Sequence, residues 1–355
     1  MLYPVIQPYS SVSIIGMCKN AGKTTVLNQI IRETEQRGEI LGLTSIGRDG
    51  ERSDLVTNTK KPEIFVRRGA LIATAEQALD LGTISREIVG IAEMSVGIPK
   101  MSLRSGNDIS TPMGRIILAR AMSDGFVQLA GPSMTVQLMS VRDMLFELGA
   151  KRVILDGALS RKSLAAPTVS SGTILCTGAS YSPDMLRTAE DTAYAARLMS
   201  LPRTELPFGS VTSKLSVYRD CRTEACADMQ DVVDAVRKGG VKAVFIRGGI
   251  TDAIASALMA AGRALNGIEI VCEDGSRLLL SRQNAEKLGR IGAGFTVLNT
   301  TRLLAVTVNP FSAYGNHYDK DAFMKAVRAR IPAGVPVVNV LSKEFEGLEE
   351  TDAQQ

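Results

Sequence analysis

The sequence contains no tryptophan and a single histidine, His317. A histidine-rich metal site or a multi-histidine catalytic centre cannot be assembled from that inventory. Five cysteines (18, 176, 221, 226 and 272) are scattered along the chain without a paired framework. That usage fits a reducing compartment, so a cytoplasmic location is expected. Cys221 and Cys226 stand in a C-x4-C spacing with no further ligands nearby, which argues against zinc. Charge of one sign is also scarce. Lys+Arg 41 against Asp+Glu 37 leaves +4, too balanced to imply nucleic acid or a membrane surface as partner. No run approaches the roughly 18 apolar residues of a membrane helix. The N-terminus lacks the basic region of a secretory signal, the first charged residue being Lys19.

What is present is a globular composition of 45% hydrophobic and 22% charged residues, enough to bury a large core rather than stay disordered. The 355 residues suggest about two domains, or one α/β domain with insertions. Short apolar runs alternate with helical patterns. Residues 12–15, 40–46, 153–155 and 173–176 read as strands, and residues 24–31, 134–148 and 183–199 as helices. This alternation predicts an α/β fold with a mostly parallel sheet and helices on both faces.

Residues 60–131 interrupt the rhythm. They contain an expected hairpin, RIILARAM and FVQLAG joined at Ser123-Asp124-Gly125, because Asp-Gly tolerates the positive φ angles of a type I′ turn. The segment reads as an insertion that covers a site or carries a partner surface. Residues 201–213 hold two prolines and several small polar residues and read as a linker. The expected organisation is thus an N-terminal domain over 1–200 and a C-terminal α/β part over 214–345 that completes or flanks the sheet. Residues 346–355 form an acidic tail. Within 214–345, strands are expected at 243–246, 303–308 and 335–340, a helix at 251–264, and a second Asp-Gly hairpin in EIVCEDGSRLLLS.

The chemistry centres on Gly16-Met17-Cys18-Lys19-Asn20-Ala21-Gly22-Lys23-Thr24-Thr25. A phosphate loop reads G-x-x-x-x-G-K-[ST]. Here Met17 stands at the first glycine's position and Gly16 lies one residue earlier, so the match is a variant. The strand–loop–helix order preserves the physics. Inward-facing amides form an anion nest, and the helix brings its positive end to the phosphates. Gly22 removes a side chain where the backbone approaches the ligand. Lys23 can span β and γ phosphates, and Thr24 can ligate Mg2+. A plain glycine turn before an amphipathic helix is the competing reading.

Asp156 follows an apolar strand and can hold Mg2+ through water, or cap a turn. Asp49, in GRDGE, can ligate Mg2+ or orient an attacking water, or be an Asp-Gly turn residue. Lys19 can reach phosphate oxygens of its own or a neighbouring subunit, or stay solvated. Arg48, Arg161 and Lys162 can meet an anionic substrate, or be ordinary surface charges. Cys18 lies near a helix N-terminus, which lowers a thiol pKa, or is a small filler. Thr177-Gly178-Ala179 and Asn309-Pro310 follow strands and can line a base or substrate pocket. The Asn309 amide can read a purine edge, or simply occupy a proline turn. His317, in SAYGNHYD, reads as a loop residue.

At these residues the chain resembles the P-loop branch that includes dethiobiotin synthetase, the nitrogenase iron protein and the adaptor of molybdopterin guanine dinucleotide synthesis. GMCKNAGKTT is most similar to the adaptor's loop, ILDGAL to the synthetase's acid-Gly-Ala turn, and VPVVNVL to the group's last core strand. LTSIGRDGE, LAGPS, LDGALSRKS, ILCTGA and VTVNPFSAYG also resemble bacterial proteins associated with lysine 5,6-aminomutase. The resemblance implies ATP or GTP with Mg2+, and dimers. It implies phosphate contacts from Gly16, Lys19, Asn20, Ala21, Gly22, Lys23, Thr24 and Thr25, and metal contacts from Thr24, Asp156 and Asp49. Lys23, Asp49 and Asp156 would carry catalysis, with Asn309 at the nucleotide.

Three functional readings follow. The first is an NTP-hydrolysing switch or chaperone acting on a partner protein, with a cobalamin-dependent aminomutase as the partner implied by resemblance. The second is an ATP-dependent small-molecule ligase or kinase, with Lys19, Arg48 or Arg161 positioning the substrate. The third is a nucleotide-binding module without catalysis. The first is chosen here. No N-K-x-D motif selects GTP, so ATP is the default nucleotide.

Overall fold

The computed structural model describes residues 2–46, 63–92, 101–102, 108–158, 166–209, 211–339 and 344–346. The chain forms two compact units, one of Met1–Ala193 with Leu303–Gln355 and one of Tyr194–Arg302.

The first unit opens with α1 (Tyr3–Ile6), β1 (Ser11–Gly16), α2 (Lys23–Glu35) and β2 (Leu41–Ser45). Next come β3 (Ile64–Val66), β4 (Leu71–Ala75), α3 (Glu76–Asp80), β5 (Arg86–Ala92), β6 (Met101–Ser102), β7 (Ser110–Thr111), β8 (Gly114–Ala121) and β9 (Gly125–Val127). Then follow α4 (Thr135–Glu147), β10 (Arg152–Ala158), β11 (Gly172–Gly178) and α5 (Met185–Met199), which runs into the second unit. The second unit holds β12 (Leu215–Arg219), β13 (Arg222–Cys226), α6 (Met229–Lys238), β14 (Val241–Ile246), β15 (Ile250–Thr251), α7 (Asp252–Met259), β16 (Glu269–Cys272), β17 (Leu278–Leu279), α8 (Arg282–Ile291) and β18 (Gly294–Val297). The chain then returns to the first unit with β19 (Leu303–Asn309), α9 (Lys320–Arg328), β20 (Val337–Asn339) and β21 (Glu344–Glu346).

Among the described residues the first unit is built on a 12-stranded sheet ordered β21-β20-β19-β11-β1-β10-β2-β4-β8-β5-β6, with β7 beside β8. From β20 to β4 every neighbouring pair is parallel. The expected α/β class with a mainly parallel sheet is therefore present. Strand alternation shows why both faces are covered. Leu41 and Leu43 join a cluster with Leu27, Ile30 and Ile31 of α2. Gly42, between them, faces the other way, where a Cβ would lie 3.1 Å from Leu145 of α4. Thr177 of β11 likewise turns from α2's face and bonds Thr192 of α5 at 2.7 Å. The six buried residues of β1 form the centre of this core.

Two sequence expectations change. The hairpin at Ser123-Asp124-Gly125 does not form. Both edges of β8 are occupied by β4 and β5, leaving no place for β9, which pairs antiparallel with β3 instead. Asp124 accepts the Arg68 N–H at 2.9 Å. The described part of 60–131 therefore chiefly lengthens the main sheet. EIVCEDGSRLLLS is not a hairpin either. Asp274 accepts the Ser276 N–H at 2.9 Å, capping a short 3-10 turn over Gly275–Arg277, and β17 pairs in parallel with β15.

The second unit has its own five-stranded sheet, β13-β12-β14-β16-β18. Residues 201–213 belong to this unit. Main-chain bonds between 202–204 and Val297 and the stacking of buried Phe208 on Phe245 at 5.4 Å tie the segment to the sheet, although its prolines suggested a linker. Within 214–345, the stretch to Arg302 forms the second unit, while β19 and β20 complete the first unit's sheet.

Candidate functional site

The expected phosphate loop sits where the main sheet changes direction. From β1 the chain passes through α2 to β2, on the β10 side, whereas β11 and β19 lie on the other side of β1. Such a switch point leaves a crevice beyond the carboxyl ends of the strands. β1 ends at Gly16, and Met17 still pairs with β11, donating to the Cys176 carbonyl at 2.8 Å. The chain then leaves the sheet. Asn20 adopts φ 60° and Gly22 φ 94°, and α2 starts at Lys23 with Gly22 as its N-cap. A left-handed N-cap is natural only for glycine, which explains the residue before the lysine.

Most amides of this bend have no acceptor among the described residues. The N–H groups of Cys18, Asn20, Ala21, Gly22, Lys23, Thr24 and Thr25 donate to no acceptor among the described residues. The first four amides of a helix have no internal partner, so the end of the bend and the start of α2 together present a field of donors. The Asn20 Nδ2 is buried and also has no acceptor among the described residues. Lys23 folds back over the end of β1. A Cβ on Gly16 would lie 3.0 Å from its Cγ and Cδ and 3.1 Å from its Nζ. Thr24 and Thr25 are half-buried in the first turn, and Lys19 is exposed. Such a donor set can receive an anionic group.

Alternation places Asp156 beside the bend. It pairs in register with Ile14 of β1 and Ser45 of β2, so its side chain shares the face of Gly16 and α2. It is buried and lies two residues inside the end of β10, where the sequence reading put it at the strand's end. Its main-chain carbonyl accepts the Ile46 N–H at 3.0 Å. Cys176, level with Gly16 on β11, links the two charges electrostatically. Burial pushes its thiol up to about 12, Lys23 pulls it down and Asp156 pushes it further up. Burial raises the Cys18 thiol to about 11, opposed by Lys23. The helix terminus does not produce the reactive thiol considered from sequence, because desolvation outweighs it.

Asn309 is brought to the bend from the far end of the chain. Its Nδ2 donates to the Asn20 carbonyl at 3.2 Å, and its Oδ1 accepts the Phe311 N–H at 3.1 Å. A Cβ on Gly22 would lie 3.4 Å from the Asn309 Cβ. Asn309 thus buttresses the loop, with one Oδ1 lone pair and one Nδ2 hydrogen engaged. Thr177, Gly178 and Ala179 are buried, and a Cβ on Gly178 would strike the Asn309 main chain. Arg48, Asp49, Arg161 and Lys162 lie outside the described residues. Among the described residues no group of three His, Cys, Asp or Glu is placed to hold a metal. A Mg2+ ion at this loop would rely on phosphate oxygens together with Thr24 and Asp156, the kind of environment this ion commonly uses.

Sequence reasoning did not place Cys176 beside the loop, although counting strand register from Gly16 would have found it. A separate cavity of about 200 Å³ opens at the far end of α2, lined by Ile31, Glu35, Leu41 and Arg67 among others, and none of the candidate site residues lines it. Among the described residues no helix is long and apolar enough to cross a membrane. No protein family, curated protein or solved structure matches the chain.

Proposed function

We propose that the chain binds a Mg2+–nucleoside triphosphate in the 16–25 loop and hydrolyses it as a switch acting on a partner protein. The observation that carries this reading is the field of unpaired amides around a lysine folded over Gly16, at the switch point of a parallel sheet. The loop amides hold the β and γ phosphates, and Lys23 offsets the charge that develops between them. Thr24 and Asp156 orient the hydrated metal. When bound, Mg2+ supplies the Lewis acidity that neutralises charge on the phosphoryl oxygens. Catalysis here is positioning and electrostatics, which needs no histidine.

Chain connectivity favours a switch. The second unit, with its own sheet, is inserted between Ala193 and Leu303. Its exit leads straight into β19, whose last residue, Asn309, bonds the loop. A change in the loop on hydrolysis therefore acts on a strand continuous with the second unit. The partner class suggested by the sequence resemblance is a cobalamin-dependent aminomutase. The test is phosphate release with and without that partner. Slow basal hydrolysis that rises with the partner, and is lost in Lys23→Ala, supports the reading. Rapid turnover that depends on one small metabolite replaces it with the ligase or kinase.

A further inference from the structure

We propose that Phe311 is the stacking platform for the base of the nucleotide, an inference that rests on the phosphate-loop reading above. The argument starts from the segment after β19. Residues 310–318 form a loop held at many points. Tyr318 N–H donates to the Pro310 carbonyl at 2.9 Å, and Ser312 N–H to the His317 Nδ1 at 3.0 Å. Asn316 Nδ2 reaches the Ala179 and Ser182 carbonyls at 2.9 and 3.2 Å, and the Tyr318 hydroxyl meets Thr188 Oγ1 at 2.9 Å. A loop tied in this way has already lost its conformational freedom.

On this fixed loop Phe311 remains 57% exposed. Its ring meets the His317 ring edge-to-face, with centroids 5.6 Å apart, which sets its orientation while leaving much of its surface to solvent. The main chain of Phe311 is also tied to the phosphate loop. A single side chain, Asn309, bonds both the Phe311 N–H and the Asn20 carbonyl. A ligand whose phosphates occupy the bend would extend its remaining atoms past Asn309. Just after Asn309 in the chain, the exposed Phe311 ring offers an aromatic face. Base–aromatic stacking uses such a face, and it tolerates any base because every base has a π surface. The Asn309 amide, considered from sequence as a reader of a purine edge, keeps a second Oδ1 lone pair and a second Nδ2 hydrogen for that role.

The absence of tryptophan from the chain makes a direct test possible. Phe311→Trp places the chain's one tryptophan at the proposed platform, and it can be excited selectively over the seven tyrosines. MgATP should quench its emission on binding, while magnesium tripolyphosphate, which has no base, should bind in calorimetry without quenching. In Phe311→Ala, affinity for MgATP should fall about tenfold, with tripolyphosphate affinity unchanged. Calorimetric binding of MgATP without quenching overturns the inference, as does an equal loss for both ligands in Phe311→Ala. Should wild-type protein bind neither ligand, the phosphate-loop reading fails and this inference with it.

Discussion

The side chain of Lys23 lies against Gly16, its Cγ and Cδ each 3.0 Å from where a Cβ on that glycine would stand. The six-residue bend between the strand's last residue and the helix's first therefore ends by closing on itself. The glycine needed here precedes the position that the usual spacing assigns to it. It makes room for the lysine, and Gly22 supplies the left-handed turn. Gly16→Ala should fold, because the obstructed atoms belong to a flexible side chain, but the lysine must shift. A weakened charge-assisted phosphate contact costs about 1 kcal/mol or more, so MgATP affinity should fall by about fivefold or more. The thermal midpoint should stay within about 3 °C of wild type. Lys23→Ala should lose binding altogether. Calorimetry and a melting curve on each variant decide the matter, and unchanged affinity in both removes the site assignment.

Asp156 shares the face of Gly16 and α2 and acts with Lys23 on the same buried thiol. Asp156→Asn keeps the shape and removes the charge. The magnesium concentration that half-saturates nucleotide binding should rise about tenfold or more, the usual consequence of removing a group that orients a metal's ligands. Binding measured in excess magnesium should change much less. A magnesium titration at fixed nucleotide reads this directly, and superimposable curves would show that Asp156 serves the fold alone.

The sequence made some of this arrangement legible and concealed the rest for physical reasons. β1 and α2 were readable because an uninterrupted buried run and the spacing of Val26, Leu27, Ile30 and Ile31 are local signals. The loop was readable because glycine, lysine and threonine appear together. Asp124-Gly125 misled because a hairpin turn specifies only its own residues. Competition for the edges of β8 is a property of the whole sheet. The same limit hid the contact of Asn309 with Asn20, which spans 289 positions. It also hid the return of β19 to the first unit, because a strand's sheet is decided by neighbours that periodicity does not name.

Cys18 tests the electrostatics of the bend without a nucleotide. Burial lifts its thiol to about 11, so at pH 8 only about one molecule in a thousand carries the thiolate. Iodoacetamide at pH 8 should modify exposed Cys221 well before Cys18, and the Cys18 rate should climb with pH towards about 11. Lys23 is the group that lowers this thiol's pKa, so Lys23→Ala should slow Cys18 labelling further. Peptide mass spectrometry over a pH series reads both effects. Fast labelling of Cys18 at neutral pH would mean that the bend is open and solvated.

Arg152 and Glu39 tie the N-terminal segment to β10, and their pairing shapes how the fold responds to acid. The buried guanidinium donates to the Ile6 carbonyl at 2.6 Å and to the Tyr9 carbonyl, and meets Glu39 Oε2 at 3.2 Å. Burial alone would raise the Glu39 pKa. The Tyr3 hydroxyl, at 2.6 Å, with Arg152 and Lys151 outweighs it and holds the carboxyl below its usual range. A carboxyl depressed in the folded state contributes stability above its unfolded pKa, and that contribution is lost as pH falls through the lower folded value. Arg152→Met leaves a buried carboxylate short of its main partner and should cost about 3 kcal/mol at pH 7. Because burial then favours the protonated form, the deficit should shrink as pH is lowered towards 5. Adding Glu39→Gln to Arg152→Met should restore much of the loss, since removing both charges leaves less to desolvate. Urea denaturation at pH 7 and pH 5 separates these cases. A deficit that is independent of pH and not relieved by the second substitution would place the role of Arg152 in its bonds to the Ile6 and Tyr9 carbonyls.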